Sequence, residues 1–182
     1  MRKQLVALAI AGTAVAGMFA APAAQAAETD TTFTLSAAGG LSISVPASTQ
    51  LSAGTATNAG TLTAQLGAVE VTDLRGALLT SWTASVTSSD FTTGTETADE
   101  TIAAANVAYW SGASTASSGV GVFTPGQLTA LLKEALSSSR TAFAATAAVG
   151  NNSAAWNPTV VVTIPSDAVV GAYSGTITHS AA

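Results

Sequence analysis

No cysteine occurs in the 182-residue chain. Disulfide staples and thiolate metal sites are thereby excluded, and the fold has to be held by its core alone. Charge is scarce as well. Asp, Glu, Lys and Arg make up 8 % of the residues, against roughly 25 % in an average globular protein, so solubility rests on Thr, Ser and Asn. Of five basic side chains, set against ten acidic ones, only Arg75, Lys133 and Arg140 lie beyond residue 3. These are too few to neutralise many phosphates, which argues against nucleic-acid binding and against docking to anionic lipid headgroups. The single histidine is His179. A lone imidazole excludes a zinc site built from several His or Cys ligands. A Ser-His-Asp mechanism would have to rest on a frayed terminal strand. The expectation is therefore a solvent-facing polar His179, no catalytic residue and no cofactor.

What is present starts with a cellular address. Arg2 and Lys3 form a short basic segment, residues 5–19 are apolar or small, and Ala24-Gln25-Ala26 fits the small-x-small cleavage rule. This is the layout of a secretory signal peptide rather than of an anchor, because the apolar run is shorter than the ~20 residues that span a bilayer. Cleavage after Ala26 leaves residues 27–182 as a single domain without membrane insertion. Its basic residues are then Arg75, Lys133 and Arg140. No Leu-Pro-x-Thr-Gly sorting signal follows, so the expected product is secreted, either extracellular or held non-covalently at the cell wall.

Period-two alternation dominates the remainder. Phe33 and Leu35, then Leu41, Ile43 and Val45, then Leu62, Ala64 and Leu66, then Val69 and Val71, then Trp82, Ala84 and Val86 each put apolar residues on one face. Residues 160–164 and 173–178 add two late strands. Short strands with one apolar face need a second sheet to cover them, which predicts an all-β antiparallel sandwich, immunoglobulin-like or related. One stretch departs from the pattern. Thr124-Pro125 resembles a helix start, and Leu128, Leu131, Leu132, Ala135 and Leu136 recur at helical spacing. This predicts a short helix over residues 125–137. The alternative is a strand that pairs with the Thr141-Ala142-Phe143 region. Gly150-Asn151-Asn152-Ser153 reads as a turn, making residues 141–146 and 159–164 a long hairpin. The Ala/Ser/Thr/Gly runs 52–60 and 111–121 read as polar loops.

Few side chains carry candidate chemistry. Asp73 and Arg75 lie two apart on a strand and project from one face, which favours a structural ion pair over a ligand contact. Glu96, Asp99 and Glu100, with Asp90 nearby, form an acidic loop. Calcium favours such oxygens, but no EF-hand spacing is present and a solvated loop is the expectation. Tyr109 and Trp110 are adjacent, so one faces the core and the other faces out. Trp156 precedes Asn157-Pro158 and is expected to cap a sandwich end. Exposed aromatics on a β-sandwich suit sugar rings, and this makes Trp110, Trp156 and Tyr109 the candidate binding residues. Trp82 is in phase with Ala84 and Val86 and is expected in the core.

Four segments taken in order, Val71-Thr-Asp73-Leu-Arg75-Gly76, Trp82-Thr-Ala-Ser, Ile164-Pro165 and Gly171-Ala-Tyr173-Ser-Gly175-Thr, resemble the WxL-type surface domains of Gram-positive bacteria. The resemblance runs from about Phe33 to the end. It implies a β-sandwich, a structural role for Asp73, Arg75, Trp82 and Tyr173, and non-covalent attachment to the cell wall through peptidoglycan. Two departures stand out. Position 84 is Ala where the family has Leu, and Thr178-His179-Ser180 stands where a second Trp-x-Leu is due.

The expected function is that of a secreted, non-catalytic surface protein binding a cell-envelope polymer such as peptidoglycan. The alternative is a structural or adhesin module that binds another surface protein through edge strands. A secreted glycan hydrolase comes third, since no carboxylate pair stands in a recognisable motif.

Overall fold

The computed structural model describes residues 40–51 and 59–182. The expected signal peptide, the expected Phe33/Leu35 strand and most of the expected 52–60 loop lie outside these residues. Twelve strands follow in chain order: β1 (Leu41–Ser44), β2 (Thr61–Gln65), β3 (Val69–Asp73), β4 (Thr80–Ser88), β5 (Phe91–Thr92), β6 (Thr101–Ile102), β7 (Val107–Trp110), β8 (Ser114–Pro125), β9 (Glu134–Ala135), β10 (Arg140–Trp156), β11 (Thr159–Thr163) and β12 (Ile177–Ala181). All pairings are antiparallel. The fold is all-β and sandwich-like, as the alternation predicted.

The larger sheet is organised by β10. Along one of its edges β4 pairs with residues 140–148 and β3 with residues 152–156, so β3 and β4 lie end to end. β1 continues outward from β3, and β12 from β4. Along its other edge β10 pairs with β8 alone. The second sheet has the order β2-β11-β7-β9. Between the two sheets lie Val69, Val71, Trp82, Val86, Tyr109, Phe143, Trp156, Val160 and Ile177, all buried. A ring stack joins Phe143 to Trp156, with centroids 4.8 Å apart and planes at 18°.

β10 bends in the middle. Its register against β8 shifts between Thr146 and Val149 and again between Val149 and Ser153, and both Ala147 and Gly150 take positive φ. Opposite the bend, Gly119 has φ +84, and a Cβ there would stand 2.5 Å from the Asn151 carbonyl oxygen. Only glycine lets β8 follow its neighbour through this point.

Five local expectations are corrected. No helix forms over residues 125–137. Thr124 and Pro125 close β8, Ala130–Leu132 makes one 3-10 turn, and β9 pairs with β7. The Gly126 N–H donates to the Ala142 carbonyl at 2.9 Å, which keeps the chain extended along β10. Of the leucine stripe, Leu136 enters the core while Leu128, Leu131 and Leu132 are exposed. Residues 150–153 are not a turn but the bulged centre of β10. The expected hairpin is absent for the same reason, since β10 and β11 belong to different sheets and Asn157-Pro158 carries the chain between them. Most of the expected loop 111–121 is strand, because β10 supplies a paired edge that its weak local pattern did not signal. Finally, the last strand starts at Ile177 rather than at Tyr173.

Candidate functional site

The Asp73/Arg75 pair forms as expected and sits within a wider network. Arg75 donates from Nε to Asp73 Oδ1 and from Nη2 to Oδ2, each at 2.8 Å, and its backbone N–H adds a third bond to Oδ1 at 3.0 Å. The same Nη2 donates to the Ser81 carbonyl at 2.9 Å. The Asp73 side chain is fully buried. The Arg75 hydrogen bonds hold its carboxyl below the usual aspartate range. Asn152, on β10, connects this pair to the core tryptophan. Its Oδ1 accepts the Trp82 indole N–H at 2.9 Å and its Nδ2 points to Asp73 Oδ2 at 3.4 Å. Asp73 and Arg75 are thus bonded directly, and Trp82 joins them through Asn152. Nε and Nη2 of the guanidinium are taken up by Asp73 and the Ser81 carbonyl.

Tyr109 and Trp156 are corrected as binding residues. Both are completely buried, because Tyr109 alternates inward on β7 and Trp156 ends β10 beneath Phe143. The Trp156 indole N–H donates to the Tyr109 hydroxyl at 3.0 Å. His179 is also corrected. It is 1 % exposed rather than solvent-facing, in phase with Ile177 on the inner side of β12. Its Nε2 lies 3.3 Å from the Tyr109 hydroxyl, and the tautomer with the proton on Nδ1 lets that hydroxyl donate to it. Nδ1 has no hydrogen-bond partner among the described residues. Burial lowers the imidazole from its ordinary 6.5 to about 4. A neutral, enclosed ring cannot reach a substrate, so the geometry gives it no role as a general base. Trp110, half-buried on the outer side of the second sheet, alone of the three candidate aromatics retains exposed surface.

Hydrogen bonds organise the acidic loop. Glu100 Oε2 accepts from the backbone N–H and the hydroxyl of both Thr95 and Thr97 at 2.8–3.2 Å. These bonds lower its carboxyl to about 2. Asp90 accepts the Ala104 N–H at 2.7 Å. Among the described residues no cluster of three or more His, Cys, Asp or Glu could hold a metal. Tyr173 donates its hydroxyl to the Val169 carbonyl at 2.7 Å and so pins the preceding turn, much as tyrosine corners do in other sandwiches.

Among the described residues the longest free sheet edge is the outer edge of β8. Among the described residues its twelve residues pair only with β10, so the opposite row of backbone donors and acceptors faces solvent. The strand Ser-Thr-Ala-Ser-Ser-Gly-Val-Gly-Val-Phe-Thr-Pro carries no charge. Val120 and Val122 are 66 % and 58 % exposed, Val149 beside them on β10 is partly exposed, and Leu128, Leu131 and Leu132 follow just past the strand end. Natural sheets usually blunt such an edge with lysines, a bulge or a covering loop. Here Gly119 kinks the strand, and no charge protects it. Sequence reasoning missed this surface by reading residues 111–121 as loop. The Val120-x-Val122 alternation leading into Phe123 was the available signal.

No protein-family model, curated protein or solved structure matches the chain.

Proposed function

We propose that this is an exported, non-enzymatic surface protein that works by joining other polypeptide at the β8 edge. The observation that carries this reading is the twelve-residue, uncharged free edge of β8 with its exposed valines. Strand addition there would satisfy the open backbone groups and cover apolar surface in one step. The signal-peptide layout of residues 1–26 supports export. The WxL resemblance supports the wall of a Gram-positive cell as the address. Binding of an envelope polymer by an aromatic platform receives less support, because two of the three aromatics it needs are enclosed in the core. It retains the half-buried Trp110 as the one of the three with accessible surface.

Sedimentation of the purified mature chain, alone and with isolated cell walls, tests the reading. Association that is lost in Val122→Lys and unaffected by Trp110→Ala is expected. Wall binding lost in Trp110→Ala and unaffected by Val122→Lys would replace strand addition with polymer recognition.

A further inference from the structure

Resting on the strand-adding reading, we infer that the occupant of the β8 edge is the β8 edge of a second copy, paired antiparallel about a two-fold axis through Val120. Four observations carry this.

The edge is long and uncharged, on a chain whose formal net charge is −5. Two copies therefore meet here without like-charge contact, whereas a charged partner strand would find nothing to pair with. The bend selects the register. A one-residue slip in a strand pair turns the side chains to the wrong face, and β8 kinks at Gly119. Two identical kinked strands lie flat against each other only when their kinks meet near the axis. The remaining choice is between axes through residue 119 and residue 120, because an odd sum of paired positions would set inward residues against outward ones.

The faces decide that choice. Phe123 packs inward, with its ring centroid 6.4 Å from that of Trp82, while Val120 and Val122 point outward and are exposed. An axis through Val120 places Val120 opposite its own copy, and Val122 of each chain diagonal to it. Val149, paired with Val120 on β10, flanks the cluster. Exposed valines thereby cover one another. On the inner face Gly119 meets Gly121, so nothing obstructs close approach of the backbones. An axis through residue 119 would instead set Val120 against Ser118 and Val122 against Ala116, leaving only the two Val120 side chains diagonal to each other. Pairing of this isologous kind closes at two copies and does not propagate.

Because the chain has no cysteine, a single engineered thiol reports the axis. In the mature chain, Val120→Cys brings two sulfurs within disulfide reach across the axis. Ser114→Cys places them roughly 40 Å apart at strand rise. Mild oxidation at low micromolar concentration should convert most of the Val120→Cys protein to a covalent dimer and little of Ser114→Cys. Adding Val122→Lys to Val120→Cys should lower the yield at least tenfold, with the melting temperature unchanged. Equal yields for the two thiols overturn the inference. A companion titration with a fluorescent peptide of residues 29–36, which alternates like a strand, separates the two readings. If Val120→Cys stays monomeric while that peptide binds and Val122→Lys abolishes its binding, the second-copy inference fails and strand addition stands. If neither occurs, both fail.

Discussion

Asn152 holds Trp82 and Asp73 together, accepting the indole N–H at 2.9 Å while its amide faces the carboxylate at 3.4 Å. One amide from the bulge of β10 thus serves two buried polar groups on neighbouring strands. Asn152→Ala leaves a buried donor without its acceptor and removes one partner of a buried carboxylate. The expected cost is about 2–4 kcal/mol, read from the urea midpoint at unchanged m-value. A loss below about 0.5 kcal/mol would show that the network is incidental.

Ala84 and Phe143 stand directly opposite on β4 and β10, and both are fully buried. The small Ala84 side chain thus stands against a ring that stacks on Trp156. Ala84→Leu should therefore overpack the core and destabilise by about 1–3 kcal/mol. A neutral or stabilising result in thermal unfolding would mean that space for leucine remains beside Phe143.

Trp156→Ala removes a buried indole from a ring stack and strips the Tyr109 hydroxyl of a donor. A loss of about 3–5 kcal/mol is expected, while Trp110→Ala, at a half-buried outer position, should cost much less. Similar losses for the two would contradict the assignment of one ring to the core and the other to the surface.

His179 gives stability a pH slope of known sign. Its folded value, near 4, lies below the ordinary 6.5, so between these values the unfolded chain binds a proton that the folded chain does not. The contribution is complete above pH 6.5 and is lost as pH falls toward 4, on the order of 3 kcal/mol in all. Urea midpoints between pH 6.5 and 5 should fall in the wild type and stay nearly level in His179→Gln. Asp73 and Glu100, whose values are lowered, act in the same direction at more acidic pH. Parallel slopes for the two proteins would place the titration elsewhere.

The acidic loop is expected to be indifferent to calcium, because the Glu100 oxygen it would need already accepts four bonds from Thr95 and Thr97. Millimolar calcium should leave the melting temperature unchanged. A rise that vanishes in Glu100→Gln would identify a cation site there.

Where strands alternate strong apolar and polar residues, as in 69–73 and 82–86, the fold was legible from sequence, and the two-residue spacing of Asp73 and Arg75 revealed their pairing. Strands built from Ala, Ser and Gly offered no such contrast. β8 and the centre of β10 therefore read as loop and turn, although tertiary pairing makes them the spine of the larger sheet. The leucines of 128–136 have helical spacing, but the bond from Gly126 to Ala142 commits the chain to extension before a helix could start. His179 was misread because a polar type in an inward phase was weighed by its type. Asn152 looked like a turn residue, and only the bulge shows its amide turned inward.

Hydrogen exchange along β8 as protein concentration is raised addresses the edge most directly. The backbone amides that face away from β10 in residues 114–125 should exchange fast in dilute solution. They should become protected as the chain associates, and Val122→Lys should keep them fast at every concentration. Association that protects another surface while these amides stay fast would contradict the account.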